Sequence, residues 1–238
     1  MTITEAHPYH GMSEEGRLNL DMGGNTVVWP KYDECCPLCR AERGRARAGD
    51  WIQTFSGIAF WPLDPRPDEI HIEDIAHALA MQCRFTGHVR RFYSVAEHSI
   101  HVSLLCDPSD ALWGLLHDAS EAYLVDVARP LKRLFMMDEY RAIERNLQAA
   151  IAQRFGLSPD QPESVGRADR VMASIEGRDL LPTVKPQYRD MHAERWRDWL
   201  PLIGSCGLVL SQPWSPEEAE ARFLARFRQL TEPLEKVA

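Results

Sequence analysis

The chain has 238 residues and a formal charge of -8 at neutral pH; a chain of this length buries a real core, and a single domain with extensions is expected. The acidic balance argues against a general nucleic-acid binder, which displays a basic face, but leaves room for a small anionic substrate, because the local field at a site outweighs net charge. No apolar stretch reaches transmembrane length, no basic-then-apolar leader opens the chain, and six cysteines are spread unevenly, so a soluble, cytoplasmic protein without membrane contact is expected.

Residues 1–50 lack periodicity and read as an N-terminal extension. Here Cys35-Cys36-Pro37-Leu38-Cys39 precedes Arg40, Arg43, Arg45 and Arg47. Cys36 and Cys39 have the spacing of half a structural zinc site. No second CxxC follows, and His7, His10 and Cys35 would have to fold back to complete four ligands. A structural zinc at Cys36 and Cys39 therefore stands beside the alternative of reduced cysteines in a loosely ordered extension. The arginine run reads as solvated charge in a linker rather than a nucleic-acid contact.

The second unit spans 51–182. WIQTFSGIAFWPLDPRPDE predicts two short strands around Ser56-Gly57 and a proline-broken loop, a small hairpin packed on the bundle or at a subunit contact. Helical periodicity begins near Ile72, with Ile75, Ala76 and Leu79 on one stripe, and ends around Cys83; His77 within it reads as a packed helix residue. Ser94-Val95-Ala96-Glu97 is a capping-box pattern that starts a helix at Ser94 and sets His98 in its first turn. ALWGLLHDASEAYLVDVARPLKR reads as a further helix, which Pro130 stops, leaving Asp126 at or just past its C-terminal end. Met136 to Phe155 predicts a long amphipathic helix carrying Ile143, Leu147, Ile151 and Phe155, with Gly156 as its terminal glycine. Asp169 lies in the next helix, between Pro162 and Pro182; Glu176 and Asp179 read as surface residues or as neighbours of a ligand, facing Asp169 poorly.

The third unit, 183–238, begins with a proline- and tryptophan-containing segment that is expected to cover a pocket as a short strand or irregular loop. Ser215-Pro216-Glu217-Glu218 is a second capping box, opening a closing helix with Phe223, Phe227 and Leu230 inward.

His98, the pair His117-Asp118, and Asp169 offer two imidazoles and two carboxylates on three helical stretches. Such a mixed set suits a divalent ion with positions left open for water and a phosphate oxygen. A His-Asp pair alone is often merely solvated or locally bonded. Here it ends the apolar run Ala111-Leu112-Trp113-Gly114-Leu115-Leu116, where a buried carboxylate needs a cation or several donors. Asp118 and Glu121, three apart, share a helix face, and a carboxylate beside an activated water is a sensible general base. Arg84 can hold a phosphate through two hydrogen bonds, Phe85 can stack on a base or ribose, and Lys132 is the next candidate cation. Arg90, Arg91, Arg129 and Arg133 are further candidates for phosphate contact but read by default as solvated charges, and His88 as a satisfied loop histidine.

The runs IEDIAHALAMQCRFTGH, RRFYSVAEHSIHVS, LLHDASEAYLVDVARPLKR and ADRVMASIEGRDLL carry the order His, His-Asp, distant Asp. Over roughly residues 51–182 the chain thereby resembles the HD-domain metal-dependent phosphohydrolases, in the branch of bacterial 5'-deoxynucleotidases and phage deoxynucleoside triphosphohydrolases. The resemblance implies an all-α helical bundle with a small N-terminal β-hairpin, assembled as a homo-oligomer. It implies His98, His117, Asp118 and Asp169 as ligands of one divalent ion (Mn, Co, Zn, Mg or Fe), and Glu121 as the group that orients or deprotonates the attacking water. It also implies that Asp126 lies near the sugar and scissile phosphate, and that Arg84, followed by an aromatic residue, faces a nucleotide substrate. The absence of a large basic cluster around these motifs points to a deoxynucleoside monophosphate. Alternatives are a triphosphohydrolase, a cyclic-nucleotide or guanosine-tetraphosphate hydrolase, and a non-catalytic regulatory or nucleic-acid-binding module.

Overall fold

The computed structural model describes residues 21–22, 25–26, 47, 49–196 and 207–232. Cys36 and Cys39, with the rest of the zinc pattern, lie outside the described residues, as do Trp199 and the first part of the IGSCGLVL run. The described residues are mostly helical, with two antiparallel hairpins. No helix among them is long and apolar enough to cross a membrane.

Strands β1 (Asp21–Met22) and β2 (Asn25–Thr26) pair within the stretch read above as free of periodicity. The expected hairpin is β3 (Ile52–Gln53) with β4 (Ala59–Phe60), in register Ile52 to Phe60. Its turn runs through Gly57 at φ 86, a conformation that costs glycine little. Two links fasten it to the helices: Phe60 enters the core, and the Ser56 amide and hydroxyl donate to Asp74 at 2.6 and 2.8 Å.

Helix α1 (Ile72–Met81) buries Ile75, Ala76, Leu79 and Ala80, the stripe its spacing predicts. Extended backbone follows, and Cys83 bridges Ser94 across a short antiparallel contact. Helix α2 (Val95–Leu105) begins where the Ser94 hydroxyl accepts from the Glu97 amide at 3.0 Å. The other half of a capping box is absent; Glu97 turns its carboxylate to the Trp214 amide at 2.9 Å.

The long helix expected from Ala111 onward is instead broken. Helix α3 (Ala111–Leu116) stops before His117, residues 117–120 turn, and two one-turn helices follow, α4 (Glu121–Leu124) and α5 (Arg129–Lys132). Pro130 stands in the first turn of α5, where its missing amide costs nothing, so it starts a helix rather than stopping one. Helix α6 (Asp138–Arg154) buries Leu147 and Ile151 and ends at Gly156, φ 68. Helix α7 (Glu163–Asp179) carries Asp169, α8 (Arg189–Trp196) follows, and α9 (Pro216–Thr231) closes the chain behind the Ser215 cap.

One core joins α1, α2, α6 and α9 through Ile75, Leu79, Ile100, Leu147, Ile151 and Phe223. A second lies between α2, α3 and α7 around Val102, Trp113, Val165, Met172 and Ile175. Helices α2 and α3 cross closely because position 114 is glycine. A Cβ there would sit 2.8 Å from Cys106 Sγ and 2.9 Å from Ser103 Cα. This crossing sets the end of α3, with its His-Asp pair, against the His98 face of α2.

Candidate metal centre

His98 is fully buried, whereas Asp118 and Asp169 keep 22% and 30% of their side chains exposed, so the imidazole forms the floor and the carboxylates the wall of one site. His117 Nδ1 lies 2.8 Å from the Gly114 carbonyl oxygen. A carbonyl only accepts, so Nδ1 carries the proton. His98 Nδ1 lies 2.6 Å from Glu176 Oε1, and Arg84 Nε donates to the other oxygen of that carboxylate at 3.2 Å. Burial opposes ionisation of Glu176, but Arg84 and then His98 outweigh it and hold its pKa down at about 2. The carboxylate is thus an acceptor, and His98 Nδ1 is also a donor.

Both Nε2 atoms are therefore left with lone pairs, and they face each other at 3.2 Å. Asp118 Oδ2 lies 3.6 Å from His98 Nε2 and 3.3 Å from His117 Nε2, and Asp169 Oδ1 lies 3.3 Å from His98 Nε2. Acceptors crowded in this way repel unless a cation lies among them. Without a metal the cation is a proton. Burial disfavours it on His117, but the Asp118 carboxylate prevails and raises that pKa to about 9. His98 is also raised, by Glu176 and Asp169 against burial and Arg84. Burial works against charge on Asp118 too, and His117 and His98 outweigh it, pushing the carboxyl well below the usual range.

Nitrogen and oxygen ligands about 2.1 Å from one ion lie roughly 3.0–3.4 Å from each other; the His98–His117 and His117–Asp118 separations fall in that range and the His98–Asp118 one is slightly longer. His98, His117 and Asp118 bring one ligand atom each within 4.8 Å of one another and could hold a divalent ion; Asp169 lies outside that group and meets it through His98. Each imidazole is fixed through its other nitrogen, the usual support for a ligating histidine.

Above these residues opens a cavity of about 630 Å³, whose wall includes Arg84, Phe85, Asp118, Glu121, Asp126, Lys132 and Asp169. These residues, singled out from the sequence around the phosphohydrolase motifs, thus reach one space, with His98 and His117 against Asp118. Lys132 does not stand free: its Nζ meets Glu121 Oε1 at 3.1 Å and Glu144 Oε1 at 2.6 Å. Arg84 also approaches Asp118 Oδ2 at 3.4 Å. Glu121 Oε2 is buried and has no hydrogen-bond partner among the described residues. Burial first, then the Asp118 and Asp126 carboxylates, raise the Glu121 pKa to about 8.

The described non-glycine residues with positive φ are Phe85, Thr86 and Val125, and all three belong to this cavity's wall or the turn beside it. Strained backbone of this kind persists where surrounding contacts over-determine it, commonly at functional sites. Asp126 stands one residue past Val125, beyond the end of α4 as expected, although Val125 rather than Pro130 ends the helix.

Of the two readings of Glu176, neighbour of a ligand is the one the structure gives, and it faces Asp169 better than expected: seven positions on, it returns to the same face of α7 and is completely buried against His98. The 183–214 segment contributes no described residue to the cavity wall; Leu208 and Leu210 pack on the second core instead. His88 does line the cavity.

No protein-family model matches the chain. The uncharacterized protein YfdR of Escherichia coli strain K12 is 36% identical over 184 residues, covering 76% of this chain and 96% of YfdR. The chain belongs to the YfdR family. An uncharacterized protein of Rhodobacter capsulatus is likewise 36% identical over 202 residues, 77% of this chain and 97% of the relative. The near-complete coverage of both YfdR-like relatives means that they share the greater part of the chain rather than one motif.

Proposed function

We propose that this protein is an HD-type, divalent-metal-dependent phosphohydrolase whose substrates are nucleoside monophosphates, with the 5'-deoxynucleotides preferred. The observation that carries this reading is the convergence of His98 Nε2, His117 Nε2 and Asp118 Oδ2, with Asp169 Oδ1 beside His98, at a cavity lined by Arg84, Glu121 and Lys132.

His98, His117, Asp118 and Asp169 would hold the ion. When bound, a divalent ion lowers the pKa of water and withdraws charge from a phosphoryl oxygen. The protein's own groups do the rest. Glu121 Oε2, buried and unpartnered among the described residues, takes the proton of the attacking water. Lys132 anchors the other oxygen and fixes the carboxylate's direction. Arg84 and Lys132 offset the charge that spreads over the non-bridging oxygens during transfer. Phe85 offers a face to the base or ribose, and Asp126 accepts from a sugar hydroxyl. The ester P–O bond breaks, giving orthophosphate and a nucleoside.

Charge favours the monophosphate. The cavity wall carries four carboxylates, Asp118, Glu121, Asp126 and Asp169, against three fixed cations, Arg84, Arg129 and Lys132. A divalent ion leaves a small positive excess, which suits a phosphate dianion better than a triphosphate. The test is to incubate the metal-loaded full chain with deoxy- and ribonucleoside mono- and triphosphates and to identify the released anion. Orthophosphate from deoxynucleoside monophosphates is expected. Inorganic triphosphate would move the assignment to a triphosphohydrolase, and no release from any substrate would reject it.

A further inference from the structure

Gln82, just beyond α1, does not itself line the cavity, yet its side-chain amide spans the turn that carries two acids of the cavity wall. Its Nε2 donates to the Glu121 carbonyl at 2.9 Å, and its Oε1 accepts from the Asp126 amide at 3.1 Å. The orientation of the amide is settled by its partners, since a carbonyl needs a donor and an N–H needs an acceptor. Between these two points lies Val125 at φ 71 and ψ 150, a region that β-branched residues avoid. Tyr140 braces the same place, its hydroxyl 3.2 Å from the Leu124 carbonyl oxygen and 3.3 Å from that of Val125. The Gln82 main chain is also tied down, because its carbonyl accepts from the Val95 amide at the start of α2, three residues before His98.

We propose that Gln82 is a positioning residue, which bridges the Glu121 carbonyl and the Asp126 amide to hold the strained 121–126 turn with both acids on the cavity wall. This inference rests on the phosphohydrolase reading only for its catalytic consequence; the bridge itself is read without turnover. A one-ångström displacement of a reacting group costs up to about 100-fold in rate, and Val125 holds its conformation against strain.

The experiment compares the full wild-type chain with Gln82→Met, of similar length but without hydrogen-bonding groups, and Gln82→Glu, which keeps an acceptor for Asp126 and loses the donor to Glu121. Amide hydrogen exchange at 125–126, manganese affinity, kcat and KM for a deoxynucleoside monophosphate, and thermal unfolding are measured. In Gln82→Met the Asp126 amide exchanges faster and kcat falls about 10- to 100-fold, with a smaller rise in KM. Manganese affinity changes by less than the roughly 10-fold commanded by a group that orients a metal ligand, a separation that general destabilisation does not produce. Gln82→Glu keeps protection at Asp126 and still loses kcat, and it serves as the deciding variant if the methionine protein does not fold. Unchanged exchange at Asp126 in Gln82→Met, or a kcat within about twofold of wild type in a folded variant, overturns the proposal. A wild-type protein inert on every phosphate ester overturns the phosphohydrolase reading instead, and exchange at Asp126 alone then decides the bridge.

Discussion

His98 and Glu176 meet at 2.6 Å through Nδ1 and Oε1, with both side chains fully withdrawn from solvent. The carboxylate also receives Arg84 Nε, so one buried acid anchors the histidine on α2 and the arginine that enters the cavity. Replacing Glu176 with alanine strands a buried guanidinium and an imidazole N–H; the expected loss of stability is about 3–5 kcal/mol. Glu176→Gln retains the shape and loses the charge. It should fold and bind manganese about 10- to 100-fold more weakly, as read by denaturant unfolding and by calorimetric titration. Unaltered affinity in the glutamine variant would show that His98 does not need this anchor.

Gly114 has two duties. Its missing side chain lets α3 approach Ser103 and Cys106, and its carbonyl fixes His117. A methyl group at 114 must displace backbone, not a flexible side-chain tip. Gly114→Ala is therefore expected to destabilise by about 1–3 kcal/mol and to weaken manganese binding at the same time. Equal stability by thermal unfolding would mean that the helices separate without cost.

Val125 is exposed and holds a conformation natural to glycine. Strain of this kind costs about 1–3 kcal/mol, while glycine's extra freedom in the unfolded chain returns about 0.5–1 kcal/mol. Val125→Gly should thus stabilise the fold slightly, by about 1 kcal/mol, seen as a small rise in the denaturation midpoint. A clear fall would show that the valine side chain contributes packing beyond its strain.

Asp179, far from the ligand cluster, is paired with Arg178 at 2.6 and 2.8 Å and accepts from the Leu210 amide at 2.9 Å. The Arg178 hydrogen bonds first, and then the Leu210 amide, outweigh burial and hold its pKa below the usual aspartate value. A depressed folded pKa contributes stability above the unfolded value of about 3.9, and that contribution disappears as pH falls through the folded value. The stability gap between wild type and Asp179→Asn should accordingly be constant near neutrality and shrink in acid. A gap that widens in acid contradicts this assignment.

Much of this architecture was legible because local rules and tertiary packing agree. The stripe Ile75, Ala76, Leu79 and the caps at Ser94 and Ser215 lie where the pattern puts them. The break after Leu116 was not legible, since His117 through Ala122 contains no residue that forbids a helix. Pro130 misled for a related reason, because proline ends one helix and begins another with the same ring. Glu176 was within reach of the sequence: seven residues from Asp169 and directly after Met172-Ala173-Ser174-Ile175, it shares the face of Asp169. Gln82 and Glu144 carried no such signal, because their partners are distant backbone groups and a lysine that only the folded chain brings near.

The most direct test is a manganese titration of the metal-stripped full chain, run on wild type, Asp118→Ala and Glu121→Ala with turnover measured in parallel. One saturable ion per chain in wild type, lost together with turnover in Asp118→Ala and kept without turnover in Glu121→Ala, is the predicted result. Undiminished manganese binding in Asp118→Ala, or no saturable binding by wild type, would contradict a metal centre built from His98, His117, Asp118 and Asp169.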